Sequence, residues 1–353
     1  MKKRKIGVAI AVLLFNMSAS ALTITTPTYF WVDYSTNTIK SGKTPPLDAK
    51  TYATKLEADG YLLRYWVNDG NAVVTGYKKD APVGVMVYTK LDGAREFAQM
   101  GGHSIINLSP VLAKGYRGAG VTVAVVDSGI DSSHSELSGK VNSGKSWDYV
   151  MNMKPPAGSL ADPNGHGSHV AGIIAGKLDG VGFHGVAPSA KLLSYRTLNA
   201  VGAGSLSDFV LMDPVDKGMA AGARIFSNSW GVGNRADGPN IVGPSVMAKY
   251  KSAVASDAVF VFANGNSGQA QPQAMVGLPR FDADLQKGWV AVASLDPATR
   301  VIASYSDRCG VAADWCITAP GSSIVSARSG GGSVAKNGTS MATPYVSGSI
   351  ALL

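Results

Sequence analysis

From residue 121 onward the chain alternates short, nearly unbroken apolar runs with longer stretches whose apolar positions recur at helical spacing. The runs over 121–126 (VTVAVV), 191–198, 224–228, 259–263 and 289–293 are rich in β-formers, as expected of strands covered on both faces. Between them, 166–175, 207–221, 244–258 and 339–353 read as helices. Strand then helix, repeated, predicts an α/β fold in which a parallel sheet carries helices on both faces. Sheets of this kind hold their ligands just beyond the carboxyl ends of the strands, so the residues that follow each apolar run are where chemistry is expected.

The first hundred residues follow a different pattern. Lys2, Lys3, Arg4 and Lys5 precede an apolar run from Ile6 to Phe15, and small residues, Ala19, Ser20 and Ala21, come next. That is the layout of a secretory signal over 1–21, cut after Ala21. Its ten apolar residues would rise only about 15 Å as a helix, half of a hydrocarbon core. Segment 22–103 contains a hairpin signal, with 61–67 and 72–77 flanking Asn68-Asp69-Gly70-Asn71, and a polar tract with Pro45-Pro46. We expect a small N-terminal α+β piece there, either a propeptide or an extension, joined to the main domain near Gly101-Gly102. The helix over 339–353 runs to Leu353 with no capping glycine, so a domain over 104–353 is expected to be truncated at its C-terminus.

Composition adds little that changes this picture. With 353 residues, 45% hydrophobic and 16% charged, the chain can bury a sizeable core and is not a disordered one. Its 42 glycines and 17 prolines have no period, which excludes collagen and points to tight turns. The net charge of +8 falls to +4 once the four leader cations are removed, and the remaining basic residues are scattered, so no nucleic-acid partner is expected. Cys309 and Cys316 are the only two cysteines. In an exported chain they are expected to form one disulfide, and they match no zinc pattern.

Three short segments carry candidate chemistry. Asp127 directly follows the run 121–126, where a carboxylate could orient an imidazole. His166 stands between Gly165 and Gly167 at the opening of a helix, with His169 one turn further on in a structural position. The pair is spaced three apart, not the four of the zinc-binding HEXXH pattern, so metal ligands are not expected. Ser340 opens the helix 339–353, where backbone N–H groups can face a developing negative charge. A hydroxyl, an imidazole and an orienting carboxylate are the parts of a nucleophilic hydrolase.

Together, VAVVDSGID, NGHGSHVAG and GTSMATP resemble the three active-site signatures of the subtilisin-like serine proteases, the subtilases, and stand in that family's order of Asp, His and Ser. The resemblance implies a subtilisin-like parallel sheet and a secreted serine endopeptidase with Asp127, His166 and Ser340 as its triad. It further implies that Asn266, in Phe262-Ala263-Asn264-Gly265-Asn266, donates its carboxamide N–H to the oxyanion. Ser229, Trp230 and Gly231 match the strand end along which a subtilase holds an extended peptide, and the resemblance implies that Ala263, Asn264 and Gly265 bind substrate as well. Asn264 departs from the family's small apolar residue and is expected to alter the rim of the specificity pocket. Segment 275–321, with Gly277-Leu278-Pro279-Arg280, Gly288-Trp289 and Cys309-Gly310 to Trp315-Cys316, is similar to the passenger proteases of Gram-negative autotransporters. That narrower likeness implies a missing C-terminal outer-membrane β-barrel.

The expected partners are therefore polypeptide substrates, and the N-terminal segment as a self-inhibitor if it is a propeptide. No cofactor is called for. Family members can hold structural calcium, but scattered Asp and Asn in loops define no cage here. An α/β-hydrolase esterase would need a histidine after the serine, and none follows Ser340. A catalytically inert adhesin or scaffold on the same fold is the alternative from another class.

Overall fold

The computed structural model describes residues 101–155 and 161–353, with Ala113 by its backbone only, and six strands before residue 101 by their backbone. The chain forms two compact units, 1–98 and 99–353. In the first, β1 (Ile10–Val12), β6 (Val85–Thr89), β5 (Asn71–Lys78) and β4 (Tyr61–Asn68) form a sheet in that order, and β2 (Tyr29–Asp33) pairs with β3 (Thr38–Gly42). The expected hairpin is β4 and β5, with Asn68 opposite Asn71. Ile10–Val12, inside the expected leader, pairs antiparallel with Val85–Val87, a pairing that only the uncut chain can make. The remainder of 1–100, including the Pro45-Pro46 tract, lies outside the described residues.

The second unit is an α/β sandwich around a seven-stranded sheet in the order β13-β12-β11-β10-β7-β9-β8, parallel throughout. Five of these strands arise from the apolar runs: β7 (Thr122–Asp127), β9 (Lys191–Arg196), β10 (Ile225–Asn228), β11 (Val259–Ala263) and β12 (Trp289–Leu295). The two edge strands, β8 (Trp147–Asp148) and β13 (Cys316–Pro320), have no such run. An edge tolerates both brevity and a terminal proline, since one side of each strand needs no ladder partner. A hairpin of β14 (Ile324–Ala327) and β15 (Ser333–Lys336) also has no apolar run to announce it.

Two short helices, α1 (Gly101–Ile105) and α2 (Leu108–Ala113), precede β7. The four predicted helices follow as α3 (His166–Ala175), α4 (Asp208–Ala220), α5 (Pro244–Val254) and α6 (Thr339–Ile350). Ser207 caps α4 by accepting from the Val210 N–H, which is why that helix begins one residue later than its polar flank. Every residue of α3 after His166 is buried, as are Thr339 and the run from Met341 to Gly348 in α6. These two helices pack together, and the bonds of His166 to Asp127 and of Ser340 to Ser229 place their N-termini at the carboxyl edge of the sheet. On the sheet face away from that pair, Phe226, Phe260, Phe262, Tyr250 and Trp289 stack ring to ring. Burying a side chain of this size contributes on the order of 2–3 kcal/mol.

From β7 the chain builds β8 and β9 on one side of the sheet, then crosses to build β10 onward on the other. The switch point thus lies between β7, ending at Asp127, and β10, ending at Asn228, which is where an open parallel sheet forms its binding crevice. Cys309 and Cys316 are bridged, with Cα atoms 5.9 Å apart, well within the range a disulfide spans. A loop this short gains about 2.5 kcal/mol on the chain-entropy model, enough to fix one turn and the start of β13. Among the described residues no helix is long and apolar enough to cross a membrane.

Candidate active site

Asp127 is the last residue of β7, and its carboxylate is buried. His166 is the first residue of α3, with its side chain about a quarter exposed. They meet because Gly167 carries no side chain: a Cβ there would stand 2.1 Å from the Gly129 carbonyl oxygen and 3.2 Å from Asp127 Cβ. The helix end can therefore press onto the strand end. His166 Nδ1 lies 2.7 Å from Asp127 Oδ1, the length of a charge-assisted hydrogen bond. With its proton on Nδ1, the ring offers the Nε2 lone pair to the cleft.

Two residues that sequence reasoning missed hold this pair. Asp162 accepts from Ser128 Oγ and the Gly165 N–H through one oxygen and from the Ser168 N–H through the other. Ser128 Oγ in turn accepts from the Gly167 N–H, so the residue after Asp127 and both neighbours of His166 share one buried network. The only signal in sequence is an acid four positions before the histidine, in a loop where acids are common.

Burial, the largest influence on His166, depresses its pKa, but the charge of Asp127 and the hydrogen bond to it outweigh burial. Lys336 opposes them and Asp162 assists. The net effect raises the imidazole above the usual histidine range. His169 behaves oppositely. Burial brings it down to about 4, and its Nε2 lies 3.0 Å from the Val334 carbonyl, so it serves as a neutral structural group.

Ser340, the second residue of α6, is tied to the end of β10 by a reciprocal pair: its hydroxyl donates to the Ser229 carbonyl and the Ser229 hydroxyl donates to the Ser340 carbonyl, each at 3.0 Å. In this resting arrangement the Ser340 hydroxyl is held by the Ser229 carbonyl. Asn266 accepts from the Thr339 N–H and the Thr339 hydroxyl through its Oδ1, which fixes the carboxamide with its NH2 turned outward. A Cβ at Gly338 would be 3.5 Å from Asn266 Nδ2 and 3.6 Å from the Ser340 N. The Asn266 carboxamide, whose Oδ1 is also 3.6 Å from that position, and the Ser340 main-chain N thus border one small space beside Gly338.

His166 and Ser229 line one cavity of about 250 Å³, walled by Val126, Leu198, Leu206, Val210 and Leu211 and by Trp230 and Gly231. Trp230 both lines this cavity and packs edge-on against Phe262, with centroids 5.5 Å apart. Asn264 does not stand at a rim. Its carboxamide is fully buried and points to the Asp307 carbonyl at 3.4 Å and Cys316 Sγ at 3.6 Å, toward the disulfide. It directly follows β11, and the side chain there turns into the layer beneath the crevice. Ala263 is buried, and Gly265 adjoins Asn266 with its N–H donated to Thr339 Oγ1. Among the described residues no three His, Cys, Asp or Glu side chains converge to hold a metal ion.

Residues 118–353 match the model of the subtilase family, Peptidase S8. The chain belongs to the subtilase family. It is 35% identical over 285 residues to Subtilisin NAT of Bacillus subtilis subsp. natto, covering 78% of this chain and 66% of that protein. It is 29% identical over 324 residues to the Extracellular serine protease of Serratia marcescens, covering 73% of this chain and 30% of that one. Among solved structures, a cold adapted subtilisin-like serine proteinase matches at 31% identity with a TM-score of 0.51, covering 67% of this chain and 76% of its own. This subtilase thus spans about two thirds of the length of the Bacillus relative, and its α/β architecture is the subtilisin-like fold.

Proposed function

We propose that the protein is a secreted serine endopeptidase. The observation that carries the reading is the 2.7 Å bond from Asp127 to His166 in a crevice that also receives Ser340 at a helix N-terminus. In the mechanism, His166 Nε2 takes the proton of Ser340 as Oγ attacks the peptide carbonyl carbon. Asp127 stabilises the imidazolium, and the Asn266 carboxamide and the Ser340 N–H receive the oxyanion. His166 then gives its proton to the leaving amine, and water repeats the sequence on the acyl-enzyme. An extended substrate lies along Ser229 to Gly231, and the apolar cavity beside His166 takes one of its apolar side chains. Incubation with an unfolded protein tests the reading: fragments should appear, and a serine-directed phosphonate should stop their formation by adding its mass to the peptide containing Ser340. A folded protein that neither cuts nor is labelled would instead be the scaffold.

Two further outcomes follow from the site. Only neutral His166 can accept a proton, and its pKa is raised, so kcat/KM should fall on acidification with a midpoint above 6.5. A profile still flat at pH 5 would remove His166 from the role of base. Asn266→Ala should lower kcat by about 100- to 1000-fold with little change in KM, a figure that is subtilisin's own for the corresponding donor. A change confined to KM would place Asn266 outside the oxyanion site.

The basic and apolar leader supports export, and the extracellular relatives are in keeping with it. Likeness over 275–321 supports the narrower reading of an autotransporter passenger at the cell surface, and the reading frame downstream of codon 353 tests it. Ten-residue alternating segments are the expected find. Residues 22–103 are a propeptide or an extension of the exported domain, and N-terminal sequencing of active protein decides between them, a start near residues 100–110 supporting removal.

A further inference from the structure

The side chain of the residue that contributes the scissile carbonyl is attached one bond from the carbon that Ser340 attacks. It must enter beside Ser340 and Asn266, between the extensions of the neighbouring strands β10 and β11. Each extension offers a glycine there, Gly231 two residues after Ser229 and Gly265 next to Asn266. Two glycine walls would leave a deep, open slot. In this chain the slot is filled.

The side chain of Gln273 lies against both walls. A Cβ at Gly231 would stand 1.6 Å from Gln273 Oε1 and 2.8 Å from its Cδ, and one at Gly265 would stand 2.9 Å from Gln273 Cγ and 3.1 Å from Cδ. The backbone of Gln273 is pinned from both sides. Its N–H donates to the Asn264 carbonyl at 2.8 Å, it bridges Arg235, and the flanking Ala274 N–H donates to Asn234 at 2.8 Å. Behind it, the fully buried Asp307 carboxylate pairs with Arg235 at 2.6 Å and accepts from the Ser267 and Gln269 N–H groups. Asp307 Oδ2 would be 2.3 Å from a Gly265 Cβ. The partly buried carboxamide thus lies against both glycine walls, carried by a backbone held on both sides.

We propose that Gln273 is a specificity-determining residue that floors this recess, so that the enzyme cuts after small residues such as Ala and Ser and rejects Phe and Tyr. This rests on the peptidase reading above. One methylene more or less in a hydrophobic pocket is worth about 10- to 200-fold in kcat/KM, so a side chain occupying the recess should separate Ala from Phe by at least the lower of these figures.

The test is a series of peptide anilides identical except at the residue before the scissile bond. Wild type should favour Ala and Ser over Phe by at least about tenfold. Gln273→Ala should raise kcat/KM for Phe by roughly 100-fold relative to Ala, inverting the order. Gln273→Leu keeps the volume without the amide, so it should still reject Phe while losing any preference for Ser over Ala. It also serves if Gln273→Ala folds poorly. A wild type that cuts after Phe as readily as after Ala, or a ratio unmoved in Gln273→Ala, overturns this assignment alone. If the wild type cuts no peptide at all, the peptidase reading falls and this one with it.

Discussion

Ser340→Ala is expected to lower kcat by about a million-fold while leaving peptide affinity nearly intact, the size of loss being that of subtilisin's own serine. The substitution deletes the attacking oxygen and little else. The Ser340 hydroxyl gives up one hydrogen bond, to the Ser229 carbonyl, but the reciprocal bond from Ser229 Oγ ends on the Ser340 main chain and survives. The helix α6 keeps its buried packing, and the backbone N–H that faces the oxyanion remains. Single-turnover kinetics with an anilide and a binding assay with an uncleaved peptide separate the two quantities. Residual turnover above about one per cent would assign the nucleophile elsewhere.

Asp127→Asn is expected to cost about 10,000-fold in kcat with the fold preserved. Asp127 Oδ1 accepts from both the Ser128 N–H and His166 Nδ1 at 2.7 Å. An amide in its place can present its NH2 to the ring, and the imidazole then carries its proton on Nε2, where it cannot take the one from Ser340. The substitution also removes the largest influence that raises His166, leaving burial to depress it, so the acidic limb of kcat/KM should move to lower pH. The two readouts go together: a large loss of rate and an acid-shifted profile. Loss of rate with the limb unmoved would mean that Asp127 acts on something other than His166.

The parts of the site legible in sequence are those with a local cause. Asp127 ends a strand whose six residues are almost wholly buried, so the apolar run itself points to it. His166 between glycines marks a helix pressed onto that strand, and Ser340 marks a helix opening. Edge strands β8 and β13 and the β14–β15 hairpin escaped because short, half-exposed strands need no continuous apolar run. Asp162, Thr339 and Gln273 escaped for another reason: each acts through partners distant in sequence, such as Ser128, Asn266 and Gly231, and nothing in its neighbours marks it. Asn264, expected to alter the rim of the pocket, has its carboxamide buried instead. The direction of a side chain past a strand's end depends on the layer it meets, which here is the segment around Asp307 and Cys316.

The order in which the crevice is assembled matters for a protein-cutting enzyme still inside the cell that makes it. Asp127 and His166 are both present once about a quarter of the catalytic unit has been made, but the hydroxyl sits on a buried helix anchored to a strand end 111 positions earlier. Contacts so remote along the chain form late in folding. A growing or stalled polypeptide therefore holds a base without a nucleophile until α6 has been made and buried by the layers around it.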